Sequence, residues 1–65
     1  MDPEWTARRL GPVSKRLLLR LKRGPLRDWR TNQTIQANRL DLIKKDRYNR
    51  LVLTRWGRTV AKYVK

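Results

Sequence analysis

The segment LIKKDRYNRLVLT at residues 42–54 is predicted to reverse the direction of the chain. β-prone residues lie on both sides of the segment DRYN at 46–49, and Asp and Asn are residue types that favour tight turns. After the turn, Leu51 and Leu53 fall on one side of the strand because successive side chains alternate across it. The stretch therefore predicts a β-hairpin with one apolar face and a basic one.

A helix is predicted directly after the hairpin, over residues 55–64. Thr54 precedes it and has a side chain suited to capping a helix. Gly57 inside such a helix costs about 1 kcal/mol relative to Ala, which predicts a close backbone approach at that position. The apolar residues are spaced as on one helical face: Trp56, Val60, Tyr63 and Val64.

Three helical segments are predicted ahead of the hairpin. The first covers residues 13–22 and stops at Gly24-Pro25. A short helix over residues 26–30 and a third helix from about residue 33 to residue 40 follow, the third capped by Thr31 or Asn32. Residues 1–12 are expected to form an N-terminal arm and residues 13–65 a single domain.

Composition argues against an enzyme. The 65 residues include no His and no Cys, which excludes Cys/His zinc sites and thiol nucleophiles, and the five acids are scattered. We expect no metal, no cofactor and no small-molecule substrate. The longest apolar run, Leu17-Leu18-Leu19, is far shorter than a membrane span, so we expect a cytoplasmic protein without a membrane partner.

The charge is distributed unevenly. The formal net charge is +13, which favours a polyanionic partner. Residues 14–30 and 42–65 are strongly basic, whereas the segment TNQTIQAN at 31–38 carries no charge. Asn and Gln can pair with the edge of adenine in the major groove, although the same residues also form polar turns and helix caps.

Three motifs resemble those of winged helix-turn-helix DNA-binding domains: RGPL at 23–26, RLDLI at 39–43 and LTRWGR at 53–58. The resemblance covers residues 13–64 and implies an α+β fold with three helices, a two-stranded wing hairpin and a C-terminal helix. The chain departs from the family's pattern in two ways. Its second helix is shorter, and its recognition helix lacks regular apolar spacing.

The resemblance implies that the third helix enters the major groove of double-stranded DNA. The residues implied in base readout are Asn32, Gln33, Thr34, Gln36, Asn38 and Arg39. The residues implied in backbone and wing contacts are Arg27, Arg30, Lys44, Lys45, Arg47, Tyr48 and Arg50. Thr34 and Ala37 can contact a thymine methyl, so an A/T-leaning site is expected. A solvated hairpin whose cations only prevent edge pairing is the alternative for the wing.

The aromatic residues are expected to serve either the core or a ligand. Trp29 and Trp56 are expected in the core, because a small domain without Phe needs their area. Tyr48 at the hairpin tip is expected to stack on a base or sugar.

Three functions stay open at this point. The first is a sequence-specific DNA-binding regulator, or a recombination or packaging factor, of a phage or mobile element, associated with the nucleoid. Such a small interface favours a homodimer or a partner protein. The second is a structural RNA-binding protein of the ribosomal type. The third is an interaction protein that inhibits a polymerase or nuclease.

Overall fold

The computed structural model describes residues 2–64, which form an α+β fold. Four helices and an antiparallel β-hairpin are present in this range. Their bounds are α1 Pro3–Arg9, α2 Pro12–Arg23, α3 Thr31–Arg39, β1 Ile43–Lys45, β2 Leu51–Leu53 and α4 Arg55–Ala61. The core contains Leu17, Leu18 and Leu21 of α2, packed with apolar residues from the hairpin and α4. None of the helices described has the length and apolar character needed to cross a bilayer.

The hairpin pairs as its sequence predicts. Ile43 lies opposite Leu53, and Lys45 lies opposite Leu51. Leu51 and Leu53 are buried while Val52 between them is half-buried, so the alternation is confirmed.

The entry to α4 is fixed by a close contact and a cap, and both were predicted. Thr54 Oγ1 accepts a hydrogen bond from the Gly57 N–H at 2.9 Å. A Cβ at Gly57 would overlap the carbonyl group of Leu42. That carbonyl also accepts the Thr54 N–H at 3.0 Å, so strand and helix are joined at one point. The helix ends at Ala61, three residues earlier than predicted.

The short helix predicted over residues 26–30 is wrong. Leu26 is extended and exchanges two backbone hydrogen bonds with Leu51, at 3.0 and 2.8 Å. Because its N–H and C=O are both paired with β2, Leu26 cannot start a helix. The segment bends from there to α3, with Trp29 partly buried against the core; Trp56 is also partly buried there.

The segment expected as an N-terminal arm contains helix α1. Asp2 caps it by accepting the Glu4 N–H at 3.0 Å, and Pro3 occupies its first turn. Ala7 and Leu10 are buried, and α1 packs on α4. Residues 3–10 therefore belong to the folded unit.

Candidate nucleic-acid interface

Helix α3 presents a different face from the one its sequence suggests. Thr34 and Ala37 are buried, 6 % and 0 % exposed, so the expected contacts of these two residues with a thymine methyl are wrong. The outward face has helical spacing of i, i+3, i+4 and i+7. It consists of Asn32, Ile35, Gln36 and Arg39, all exposed.

The orientation of α3 follows from where it begins. The helix starts at Thr31, two residues earlier than predicted, with Arg30 in extended conformation before it. The Thr34 hydroxyl donates to the Thr31 carbonyl at 2.8 Å. The Thr34 hydroxyl thus has its hydrogen-bond acceptor inside the fold. Thr34 is therefore removed from the residues expected to read bases.

Gln36 ties α3 to the start of α2. Its side-chain oxygen accepts the Gly11 N–H at 3.0 Å and the Ser14 hydroxyl at 2.7 Å. Ser14 is only 3 % exposed. Bidentate pairing with adenine needs both the donor and the acceptor of a side-chain amide, and here the acceptor is already used. In this arrangement Gln36 has a structural role and presents only a donor to a ligand.

The remaining amides of α3 are exposed at its two ends. Gln33 Oε1 accepts the Arg30 N–H at 3.5 Å, which places Gln33 beside the first turn. Asn32 lies on the outward face and Asn38 on its flank. Asn32 is therefore the amide best placed to meet a ligand at the N-terminal end of this face.

Ile35 is a site residue that sequence reasoning missed. It is 49 % exposed in the middle of the outward face. The signal in the sequence was its poor spacing with Leu40, which shows that the two do not share a face. An exposed aliphatic side chain among amides and Arg39 provides an apolar contact for a methyl group.

Asp46 organises the tip of the hairpin. Its carboxylate accepts the N–H groups of Tyr48 and Arg50, each at 2.9 Å, and also the Arg50 guanidinium at 2.9 Å. Desolvation opposes ionisation, but the hydrogen bonds from Arg50 and Tyr48 outweigh it and lower the pKa of Asp46. Asn49 completes the turn with a φ of 61°. Arg50, expected as a free phosphate contact, is therefore half-buried and paired.

Tyr48 is the most exposed of the large apolar side chains described, at 67 %. The Arg50 guanidinium lies 5.0 Å from the centre of its ring. This contact holds one face of the ring while the hairpin tip stays accessible, which is the arrangement that stacking on a ligand requires.

Residues 27–30 lead from Leu26, which is bridged to β2, into α3. A hollow of about 570 Å³ is lined by Arg27, Tyr48, Asn49 and Arg50. A second hollow of about 370 Å³ is lined by Arg27, Asp28, Trp29, Arg30 and Gln33. Arg27 belongs to both, so the two hollows form one surface. Lys45 crosses it from the hairpin, with its Nζ 5.0 Å from the centre of the Trp29 ring.

Most cations of this surface are free of carboxylates. Six basic residues expected there are exposed: Arg27, Arg30, Arg39, Lys44, Lys45 and Arg47. The ion pairs within residues 2–64 are Arg8 with Glu4 and Arg50 with Asp46, and neither involves those six. Within the same range no three His, Cys, Asp or Glu residues form a group that could hold a metal ion. The surface is thus strongly positive, with one polar and apolar helix face beside it.

Known proteins add nothing to this description. Comparison of the chain with family models, with curated proteins and with solved structures found no match. The interpretation of the surface therefore rests on its own residues.

Proposed function

We propose that this protein binds double-stranded DNA as a reduced winged helix-turn-helix domain. In this proposal α2 and α3, which pack together, form the helix pair. Residues 24–30 replace the usual short helix between them. α3 lies in the major groove, and the hairpin acts as the wing against the sugar-phosphate backbone.

The observation that carries the proposal is the position of the six unpaired cations around α3. Arg27 and Arg30 precede the helix, Arg39 ends it, and the others lie on the hairpin. Phosphates flank the major groove on both sides, so a helix within the groove needs cations before and after it. Six phosphate contacts correspond to a slope of log affinity against log salt of about −5.

The outward face of α3 fits the groove in size and chemistry. An α-helix with its side chains is about 10–12 Å across, and the major groove is about 12 Å wide. The nine residues of α3 provide about 13 Å of helix to lie in the groove. Asn32 can pair with adenine, and Ile35 can contact the thymine methyl. These two residues support the expectation of an A/T-leaning site, for reasons different from the buried Thr34 and Ala37.

The phosphate contacts are tested by replacing two interface cations, Arg30→Gln with Arg47→Gln. The matched control is Arg8→Gln with Arg9→Gln, which removes the same charge. Both residues lie on α1, which packs on α4. The interface variant should bind duplex DNA roughly 10- to 100-fold more weakly at about 0.1 M salt, with a slope lower by about 2. The control should keep the slope of the unmodified protein. Equal losses in both variants would show that only net charge matters.

Base readout is tested by selection from random duplexes. We expect A/T-leaning sites, and Asn32→Ala or Ile35→Ala should relax the preference at individual positions by about 1–3 kcal/mol. Selected sites that are all G/C, or a preference unchanged in both variants, would contradict the major-groove role of α3.

RNA binding is the second candidate, and Tyr48 favours it. An exposed aromatic ring beside cations is the feature that stacks on unpaired bases. Competition among labelled duplex DNA, hairpin RNA and single strands distinguishes the two. RNA binding replaces the proposal if hairpin RNA binds more tightly than duplex DNA and if Tyr48→Ala weakens the binding of hairpin RNA far more than that of duplex DNA.

A further inference from the structure

A second basic concavity lies between the end of α2 and α4. It is a hollow of about 420 Å³ with a half-buried Val52 and Pro25 among its lining residues. Four cations surround these apolar residues: Lys22, Arg23, Arg58 and Lys62. All four are exposed, and none takes part in the ion pairs found within residues 2–64.

The cations of this hollow repel one another. Lys62 is the C-cap of α4 and follows Arg58 by four residues, a spacing at which like charges repel. Lys22 and Arg23 come from the last turn of α2, which packs against α4. Four like charges around one hollow therefore oppose their own close approach. A bound anion would remove this repulsion.

The hollow is separate from the proposed DNA interface. The hollows at that interface are joined through Arg27, and Gln33 extends them to the groove between α2 and α3. The second basic concavity shares no lining residue with any of them. α3 packs on α2 and β1, whereas α4 packs on α1, α2 and β2. A ligand in the second concavity therefore leaves the α3 surface free.

The lining points to the sugar-phosphate backbone of a duplex. It contains no aromatic ring and no side-chain amide, so nothing in it stacks on a base or reads a base edge. Lys and Arg around small apolar residues suit phosphates and deoxyribose. Single strands and RNA loops expose bases that this surface cannot use.

We propose that Lys22, Arg23, Arg58 and Lys62 form a second, sequence-independent site for duplex DNA, so that one molecule joins two duplexes. The inference rests on the proposed function of the α3 surface, which holds the first duplex. The activity it adds is DNA bridging.

The experiment is capture of a second duplex. A short duplex carrying a selected site is fixed to beads and loaded with protein, and retention of the protein is measured first. A labelled duplex of unrelated sequence is then added, and the amount captured is measured between about 50 and 200 mM salt. Four phosphate contacts predict a loss of about 100-fold in affinity for the second duplex over this range.

The test variant replaces all four cations: Lys22→Gln, Arg23→Gln, Arg58→Gln and Lys62→Gln. It should be retained on the first duplex within about threefold of the unmodified protein and should capture at least tenfold less of the second. The conservative pair Lys22→Arg with Lys62→Arg should keep capture. Far-UV circular dichroism checks that each variant is folded, because charge alone retains an unfolded basic chain on DNA.

Other outcomes overturn the inference. Capture that persists in the four-fold variant means that two protein molecules join the duplexes by self-association. Retention without any capture means that the concavity does not bind DNA, while the proposed function stands. Capture of labelled polyglutamate or hairpin RNA in place of duplex indicates a different partner. If the protein is not retained on the first duplex, the proposed function and the inference fall together.

Discussion

Two junctions of this small fold are built by different means. The junction between the hairpin and α4 combines the Thr54 cap, three residues from its donor Gly57, with the close approach of Gly57 to the Leu42 carbonyl. The junction between α2 and α3 adds one side-chain tether to its apolar packing, because Gln36 reaches Gly11 and Ser14 about two dozen residues earlier. The first junction is closed by backbone packing, whereas the second includes hydrogen bonds at an exposed edge.

The difference bears on function. The hairpin and its cations are fixed to the core, while the helix proposed to read bases is attached partly through a polar contact that water can replace. We expect local opening at α3 to need less free energy than opening at α4.

The largest effect is expected at the close-packed junction. Gly57→Ala places a Cβ against the Leu42 carbonyl, so α4 must separate from the residue that leads into β1. We expect a loss of about 3 kcal/mol in the free energy of unfolding, measured by chemical denaturation. In Gly11→Ala the new Cβ would lie 3.5 Å from Gln36 Oε1, an ordinary contact, and this matched control should change stability by less than about 0.5 kcal/mol. A similar loss in both would remove the contrast between the junctions.

Gln36→Ala should give the next largest effect. It leaves the Gly11 N–H and the buried Ser14 hydroxyl without their acceptor, at a cost of about 1–2 kcal/mol. Hydrogen exchange should accelerate in α3 more than in the hairpin. The control Asn32→Ala, on the same outward face, should leave exchange unchanged. Uniform acceleration across the molecule would show that α3 does not open separately.

Thr54→Ala removes the cap of α4 and should cost about 1 kcal/mol. Thr59→Ala is the matched control, since its hydroxyl only donates to the Arg55 carbonyl at 3.3 Å within the same helix. Thermal unfolding of the two variants gives the comparison. A larger loss in Thr59→Ala would contradict the capping role of Thr54.

The smallest effect on stability is expected from lowering the pH. The pKa of Asp46 is lowered in the folded state, so its contribution to stability is present above its ordinary value of 3.8 and is lost as pH falls through the folded value. Amide chemical shifts of Tyr48 and Arg50 should report this loss below about pH 4. Asp46→Asn should abolish the transition, whereas Asp28→Asn should retain it.

Local chemistry made parts of this fold predictable. The hairpin, the stop at Gly24 and the cap at Thr54 each follow from residues near them in sequence. The approach at Gly57 was signalled by the glycine itself, although its partner Leu42 lies on the other side of the hairpin. Gly24, for example, has a φ of 152°, which favours glycine.

The errors arose where distant contacts decide. Leu26 is extended because Leu51, far along the chain, takes its backbone groups. Asp2, just before α1, is a capping signal. A helix of only seven residues nevertheless depends on packing against α4. In α3 the tether at Gln36 and the burial of Thr34 turn Ile35 outward. The amide-rich composition of residues 31–38 indicated a candidate site, but it did not indicate which of the amides are free to meet a ligand.

The bridge between Leu26 and Leu51 has a consequence for adaptation of the fold. It anchors one end of residues 27–30, and the start of α3 at Thr31 anchors the other. An insertion between these anchors would change the separation of α3 from the hairpin tip without disturbing either pairing. If the chain binds DNA as proposed, related chains that differ in length at this loop would match targets with different spacing between groove and backbone contacts.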